Sequence, residues 1–65
     1  MDDKTFGDDL SKSRKKAGLS QEELAEKLHL TRQTISKWET GASMPDVEEL
    51  QRLCAALSAS AEELI

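Results

Sequence analysis

The sequence predicts an all-α fold of five helices, on three observations. Apolar residues recur at helical spacing through most of the chain. No stretch of useful length alternates with period two, and β-branched residues are few. Glycine and proline read as markers of element boundaries. Within this frame, residues 21–40 have the pattern of two short helices joined by a tight turn.

The elements follow in order. Residues 1–5 are expected to form a flexible N-terminal arm. Phe6, Leu10 and Ala17, with Arg14 on the same side, give a first helix a narrow apolar stripe. Its basic residues Arg14, Lys15 and Lys16 gather late, where the helix dipole favours cations, and Gly18 is a natural stop. Ser20 and Glu23 have capping-box spacing, which starts a second helix at Gln21 and carries it to about Leu28. Thr31 caps a third helix by the same logic, without an acidic partner at its N3 position, and Gly41 ends it.

Leu24, Leu28, Leu30, Ile35 and Trp38 are expected to meet inside the angled helix pair, leaving Gln21, Arg32, Gln33 and Lys37 outside. At this spacing from Ile35, Trp38 covers the core edge and buttresses the third helix. Pro45 fits the first turn of a fourth helix, with Asp46, Glu48 and Glu49 favourable at its positive end. Val47, Leu50, Leu53, Cys54 and Leu57 are expected to line its buried face. Ser60 and Glu63 repeat the capping-box spacing and open a short fifth helix. The Leu64-Ile65 pair after it either folds back onto the core or contacts a second subunit.

Length and composition bound the function classes. Residues 1–65 make a single domain, and a chain this short buries only about 60% of the surface its unfolded form exposes. One cysteine cannot form an intramolecular disulfide, and Cys54, set among Leu53, Ala55, Ala56 and Leu57, is expected to pack as a small apolar side chain. A reducing, cytoplasmic setting fits this. No apolar stretch is long enough to span a bilayer, and Met1-Asp2-Asp3-Lys4 is not the start of a secretion signal. No membrane partner is expected.

The net charge of −4 argues at first against nucleic acid, because phosphate neutralisation supplies most non-specific affinity. Its distribution reverses that argument. Lys4 against four aspartates gives −3 over residues 1–11, and Arg52 against five carboxylates gives −4 over residues 46–65. Between Lys12 and Lys37, seven basic residues face Glu22, Glu23 and Glu26, giving +4. A basic middle between acidic ends can orient a small domain on a duplex. Charge alone leaves open the plainer reading that mixed charges solvate a helical surface.

Enzyme chemistry finds no support. There is no glycine-rich phosphate loop and no nucleophile with a base, and His29 and Cys54 fall on different elements. No cofactor is expected, and no metal either, since His29 has no second His and no Cys at ligand spacing.

Three stretches carry a family resemblance that covers the chain from Phe6 to Leu64. They are Leu19-Ser-Gln-Glu-Glu-Leu-Ala-Glu-Lys-Leu, Thr31-Arg-Gln-Thr-Ile-Ser-Lys-Trp-Glu-Thr-Gly, and Met44-Pro-Asp with the closing Glu62-Glu-Leu. Together they resemble the phage repressor and Cro-type regulators, the XRE family, as it occurs in Gram-positive bacteria and their phages. The resemblance implies a five-helix, lambda-repressor-like DNA-binding domain with its helix-turn-helix at residues 21–40. In that family the third helix lies in the major groove. This implies that Arg32, Gln33 and Lys37 read bases, with Thr34 toward the backbone or a thymine methyl and Ser36 a weaker contact.

The chemistry of those side chains suits the role: Arg32 can pair with guanine O6 and N7, and Gln33 with adenine N6 and N7. The resemblance further implies phosphate contacts from Gln21 and Thr31 at the helix starts, and from Thr40, Gly41, Ala42 and Ser43 beyond the third helix. A lysine is common in the family where Ala42 stands. It implies a partly buried ion pair between Arg14 and Glu39, which takes Arg14 away from DNA. It also places His29 at a turn position that usually holds glycine, where a positive φ is expected. Ser13 and Ser58 are milder departures, from an aliphatic residue and a helix-ending glycine.

The function expected is therefore a sequence-specific, double-stranded DNA-binding transcriptional regulator, a repressor acting as a homodimer on two half-sites. Dimerisation rests on size, since one such module buries only about 600 to 1,000 Å² on DNA. The alternative is a protein-interaction module, either the DNA-binding partner of a toxin or a small adaptor, whose protein partner is unknown.

Overall fold

The computed structural model describes the backbone of residues 3–63 and the side chains of residues 5–58. Four α-helices follow one another: α1 (Asp3–Lys16), α2 (Gln21–Leu28), α3 (Arg32–Thr40) and α4 (Val47–Glu63), with no strand among the described residues. Helix α1 packs chiefly on α3, α2 on α3, and α4 lies against α2 and α1. Leu10, Leu24, Ala25, Leu28, Ile35, Trp38 and Leu53 form the buried core, with Phe6, Leu19, Leu30, Ala56 and Leu57 packed around it. No helix among the described residues is long and apolar enough to cross a membrane.

The first three helices end in the same way, because in each a residue in the left-handed region follows the last turn. At the end of α1 the N–H of Gly18 donates to the carbonyl of Lys15 and that of Leu19 to the carbonyl of Arg14. His29 and Leu30 close α2, and Gly41 and Ala42 close α3, with the same two bonds. This double bond pattern satisfies carbonyls the helix leaves without partners and turns the chain sharply. Short helices and sharp turns pack α2 on α3 and leave one face of α3 exposed.

The structure corrects several expectations. Asp3 to Thr5 belong to α1 rather than to an arm, so the helix starts earlier than the sequence reading placed it. Gly7 lies inside α1 and marks no boundary. A Cβ there would collide with the backbone carbonyl of Glu39 and come within 2.7 Å of the Trp38 carbonyl oxygen. Gly7 is thus the place where α1 and the end of α3 touch through bare backbone.

Pro45 precedes α4 and Asp46 caps it. The Asp46 carboxylate accepts from Glu49 N–H at 2.7 Å, and the Glu49 carboxylate accepts from Asp46 N–H at 3.0 Å, a reciprocal capping box.

The fifth helix is absent as a separate element, because α4 runs unbroken to Glu63, through Ser60. No glycine or proline interrupts residues 47–63, while Ala55, Ala56, Ala59 and Ala61 favour continuation. The Leu64-Ile65 pair lies outside the described residues.

The buried face of α4 is also rotated from the one expected. Leu53 is buried and Ala56 and Leu57 pack on the core, whereas Val47 is 74% exposed, Leu50 is 40% exposed and Cys54 is exposed. Arg52 accompanies this phase. Its guanidinium donates to the carbonyl of Leu28 at 2.7 Å, so Arg52 and Leu53 face the end of α2, while Val47, Leu50 and Cys54 turn outward.

Candidate nucleic-acid interface

Helix α3 is amphipathic across its nine residues. Ile35 and Trp38 are among the largest fully buried side chains, and they fix which face points away from the core. Gln33 and Lys37 are exposed on the opposite side, and Arg32, one turn before Ile35, is exposed at the helix start, with Ser36 half-buried between Arg32 and Gln33. Thr34 is half-buried at the flank, and its hydroxyl is engaged, lying 3.1 Å from that of Thr31. Thr31 caps the helix, accepting from Thr34 N–H at 3.3 Å. Helix geometry leaves the first N–H groups of α3 without carbonyl partners and pointing away from the helix, beside Arg32 and Gln33.

The start of α2 is built to a tighter plan. Ser20 accepts from Glu23 N–H at 3.0 Å while Glu23 accepts from Ser20 N–H at 2.9 Å. The backbone hydrogen bond from Ser20 is the main reason the Glu23 carboxyl is held below its ordinary value, with the Ser20 hydroxyl contributing next. Gln21, the first residue of α2, is half-buried and donates from Nε2 to Glu39 Oε1 at 3.1 Å.

Glu39 is the centre of a network. Its Oε2 accepts from Arg14 Nε at 2.7 Å and its Oε1 from Arg14 Nη2 at 3.3 Å, with the two side chains only 11% and 8% exposed. Arg14 Nη1 donates to the Leu19 carbonyl at 2.8 Å. One guanidinium therefore ties together α1, the turn before α2, and the end of α3. The bidentate geometry suits a desolvated pair.

The far end of α3 looks inward. The N–H groups of Ala42 and Ser43 both donate to the Lys37 carbonyl, at 2.9 and 3.2 Å, and Gly41 N–H donates to the Trp38 carbonyl at 3.3 Å. The Thr40 hydroxyl also donates to the Lys37 carbonyl, at 3.3 Å. These are the groups the resemblance assigns to a second phosphate, and here they close their own helix.

Sequence reasoning missed the Gln21 to Glu39 bond, the Arg14 to Leu19 bond and the Gly7 contact. The first two join residues related by no helical spacing. Only the interior placement of Gly7, in a helix where alanine would be favoured, was available as a signal.

Two short helices at an angle, a polar outer face on the second and a donor at the start of the first define a helix-turn-helix domain of the DNA-binding kind. The family model for helix-turn-helix domains matches residues 10–64, and the chain belongs to this family, in its XRE-type branch. The chain is 38% identical over 60 residues to the HTH-type transcriptional activator BcrR of Enterococcus faecalis, covering 92% of this chain and 29% of that protein. It is likewise 38% identical over 60 residues to the SPbeta prophage-derived uncharacterized HTH-type transcriptional regulator YonR of Bacillus subtilis (strain 168), covering 92% of this chain and 56% of that one. The chain thus spans well under two thirds of the length of either relative.

Proposed function

We propose that this domain binds double-stranded DNA sequence-specifically as part of a transcriptional regulator, with α3 in the major groove. The observation that carries this is the outward set of Arg32, Gln33 and Lys37 on a helix whose other face is locked by Ile35 and Trp38. Arg32 and Gln33 are the principal base readers, and Lys37, about one turn on, reaches a further base or a phosphate. Thr34 and Ser36 make shorter contacts. Gln21 and Thr31 hold phosphates at the two helix starts, where free N–H groups reinforce them. The end at Thr40, Gly41, Ala42 and Ser43 contributes a weaker contact, because its donors are already engaged.

Two copies share the operator in this reading, since one small module buries too little surface for tight specific binding. Repression is the mode proposed, because occupying an operator requires only DNA contacts. Both relatives are named as transcriptional regulators, and BcrR is named an activator, so transcription from a promoter overlapping the selected site decides the sign.

The test is selection from a random duplex pool at near-physiological salt. Enrichment of an inverted repeat is the expected result, and its half-site spacing gives the subunit geometry. Retention of DNA at low salt without enrichment overturns the sequence-specific reading and favours the protein-interaction alternative.

A further inference from the structure

We propose that Glu39 is a DNA-positioning residue, whose carboxylate sets the orientation of the Gln21 amide for a phosphate. The inference rests on the reading of Gln21 as a phosphate contact. A glutamine amide can present either its N–H groups or its carbonyl oxygen to a neighbour, and only the N–H side can donate to a phosphate. A carboxylate is acceptor-only, so the 3.1 Å contact from Gln21 Nε2 to Glu39 Oε1 selects one sense of the amide. The flipped sense would set the amide oxygen against a carboxylate oxygen. One of the two Nε2 hydrogens is used in this bond, and the other remains for the DNA backbone.

Arg14 makes the arrangement compatible with DNA. A bare carboxylate beside a phosphate contact would repel the phosphate, and the Arg14 guanidinium at 2.7 Å from Glu39 Oε2 cancels that charge. The network also links the first residue of α2 to the last turn of α3, so the phosphate clamp and the base-reading helix are held in one register. The ion pair therefore does more than close the core: it orients a DNA contact without itself touching DNA.

The experiment is a double-mutant cycle read as DNA affinity on specific and unrelated duplexes. Arg14→Met with Glu39→Leu replaces the pair by apolar side chains, which buried ion pairs tolerate better than loss of one partner. A cooperative thermal transition and helical circular dichroism establish that this variant folds. Gln21→Ala in the natural background is expected to weaken binding to every duplex by roughly tenfold, the worth of a hydrogen bond to a charged group. The double variant is expected to lose about as much, and adding Gln21→Ala to it should change binding by less than about twofold, since an unoriented amide contributes little.

Full affinity in the folded double variant, with Gln21→Ala still costing the same factor there, overturns the inference and leaves the phosphate contact standing. No effect of Gln21→Ala in either background overturns the phosphate contact as well. A measurement on the unaltered protein covers the case of a variant that does not fold. One Gln21 side-chain amide proton should resonate apart from random-coil values and exchange slowly, and a random-coil, fast-exchanging pair overturns the inference.

Discussion

His29 closes α2 with φ 58 and ψ 38, and it is the one non-glycine residue at positive φ among those described. The left-handed region brings a Cβ close to the following carbonyl, at a cost of roughly 1 to 2 kcal/mol, and glycine has no Cβ. Histidine enters this region more readily than a β-branched residue, which is why the turn accepts it. His29→Gly is therefore expected to raise stability by up to about 1 kcal/mol, the extra freedom of glycine in the unfolded chain offsetting part of the relief. A chemical denaturation midpoint at neutral pH that is unchanged or lower would refute this. Gly7 presents the opposite case. Alanine is the better helix former by roughly 0.5 to 1 kcal/mol, yet its Cβ would meet the backbone of Glu39 and Trp38, which cannot rotate aside. Gly7→Ala should destabilise by about 1 to 3 kcal/mol as α1 is pushed off α3. A thermal midpoint equal to that of the unaltered protein would show that the helices part without cost.

At the scale of the element, the start of α2 is held by a reciprocal capping box, and its stability is tied to pH. The Glu23 carboxyl titrates below its ordinary value of 4.5 in the folded protein, chiefly through the hydrogen bond from Ser20 N–H. A lowered folded value means that the ionised group stabilises the fold fully above the ordinary value, and that this contribution is lost as pH falls through the folded one. Glu23→Gln should thus be less stable than the natural protein at pH 7, with the two urea midpoints converging as the solution is acidified below the carboxylate range. A constant gap down to acid pH would place the effect elsewhere.

The same capping box shows what a sequence makes legible. Ser20 and Glu23, Gly18 and Gly41 act within a few residues of themselves, so the bounds of α2 and the ends of α1 and α3 could be read directly. Ser60 and Glu63 have the same spacing and lie inside α4, which has no breaker before them. The Asp46 and Glu49 box was overlooked in favour of Pro45. The phase of α4 was illegible for a different reason. Val47, Leu50 and Cys54 have helical spacing, but which stripe is buried depends on how Arg52 and Leu53 meet α2, a contact spanning 24 residues. At the candidate site, the side-chain chemistry of Arg32 and Gln33 was readable, and the outward direction of Gln33 followed from Ile35 and Trp38. The Gln21 to Glu39 bond depends on the packing of α2 against α3 and had no local signature.

For the molecule as a whole, charge placement decides how the proposed binding responds to salt. The chain carries −4 overall, and of the cations between Lys12 and Lys37, Arg14 is spent on Glu39. Each neutralised phosphate contributes about 0.9 to the slope of log K against log salt, and Arg14, held on Glu39, adds nothing to it. Gln21 is neutral, so Gln21→Ala should weaken binding to all duplexes while leaving that slope unchanged. Arg32→Ala or Gln33→Ala should lose about 1 to 3 kcal/mol at one base position and relax the preference there. Ala42 offers the converse test. It is exposed just beyond α3, its N–H is fixed on Lys37, and its family position commonly holds lysine. Ala42→Lys adds a cation beside an end whose own donors are already engaged, so it should tighten binding to specific and unrelated duplexes by the same factor and steepen the slope by about 1. Titrations of both duplexes at several salt concentrations check this. A gain confined to the selected operator would instead place residue 42 over a base, and no gain would mean that this end of α3 does not approach the DNA.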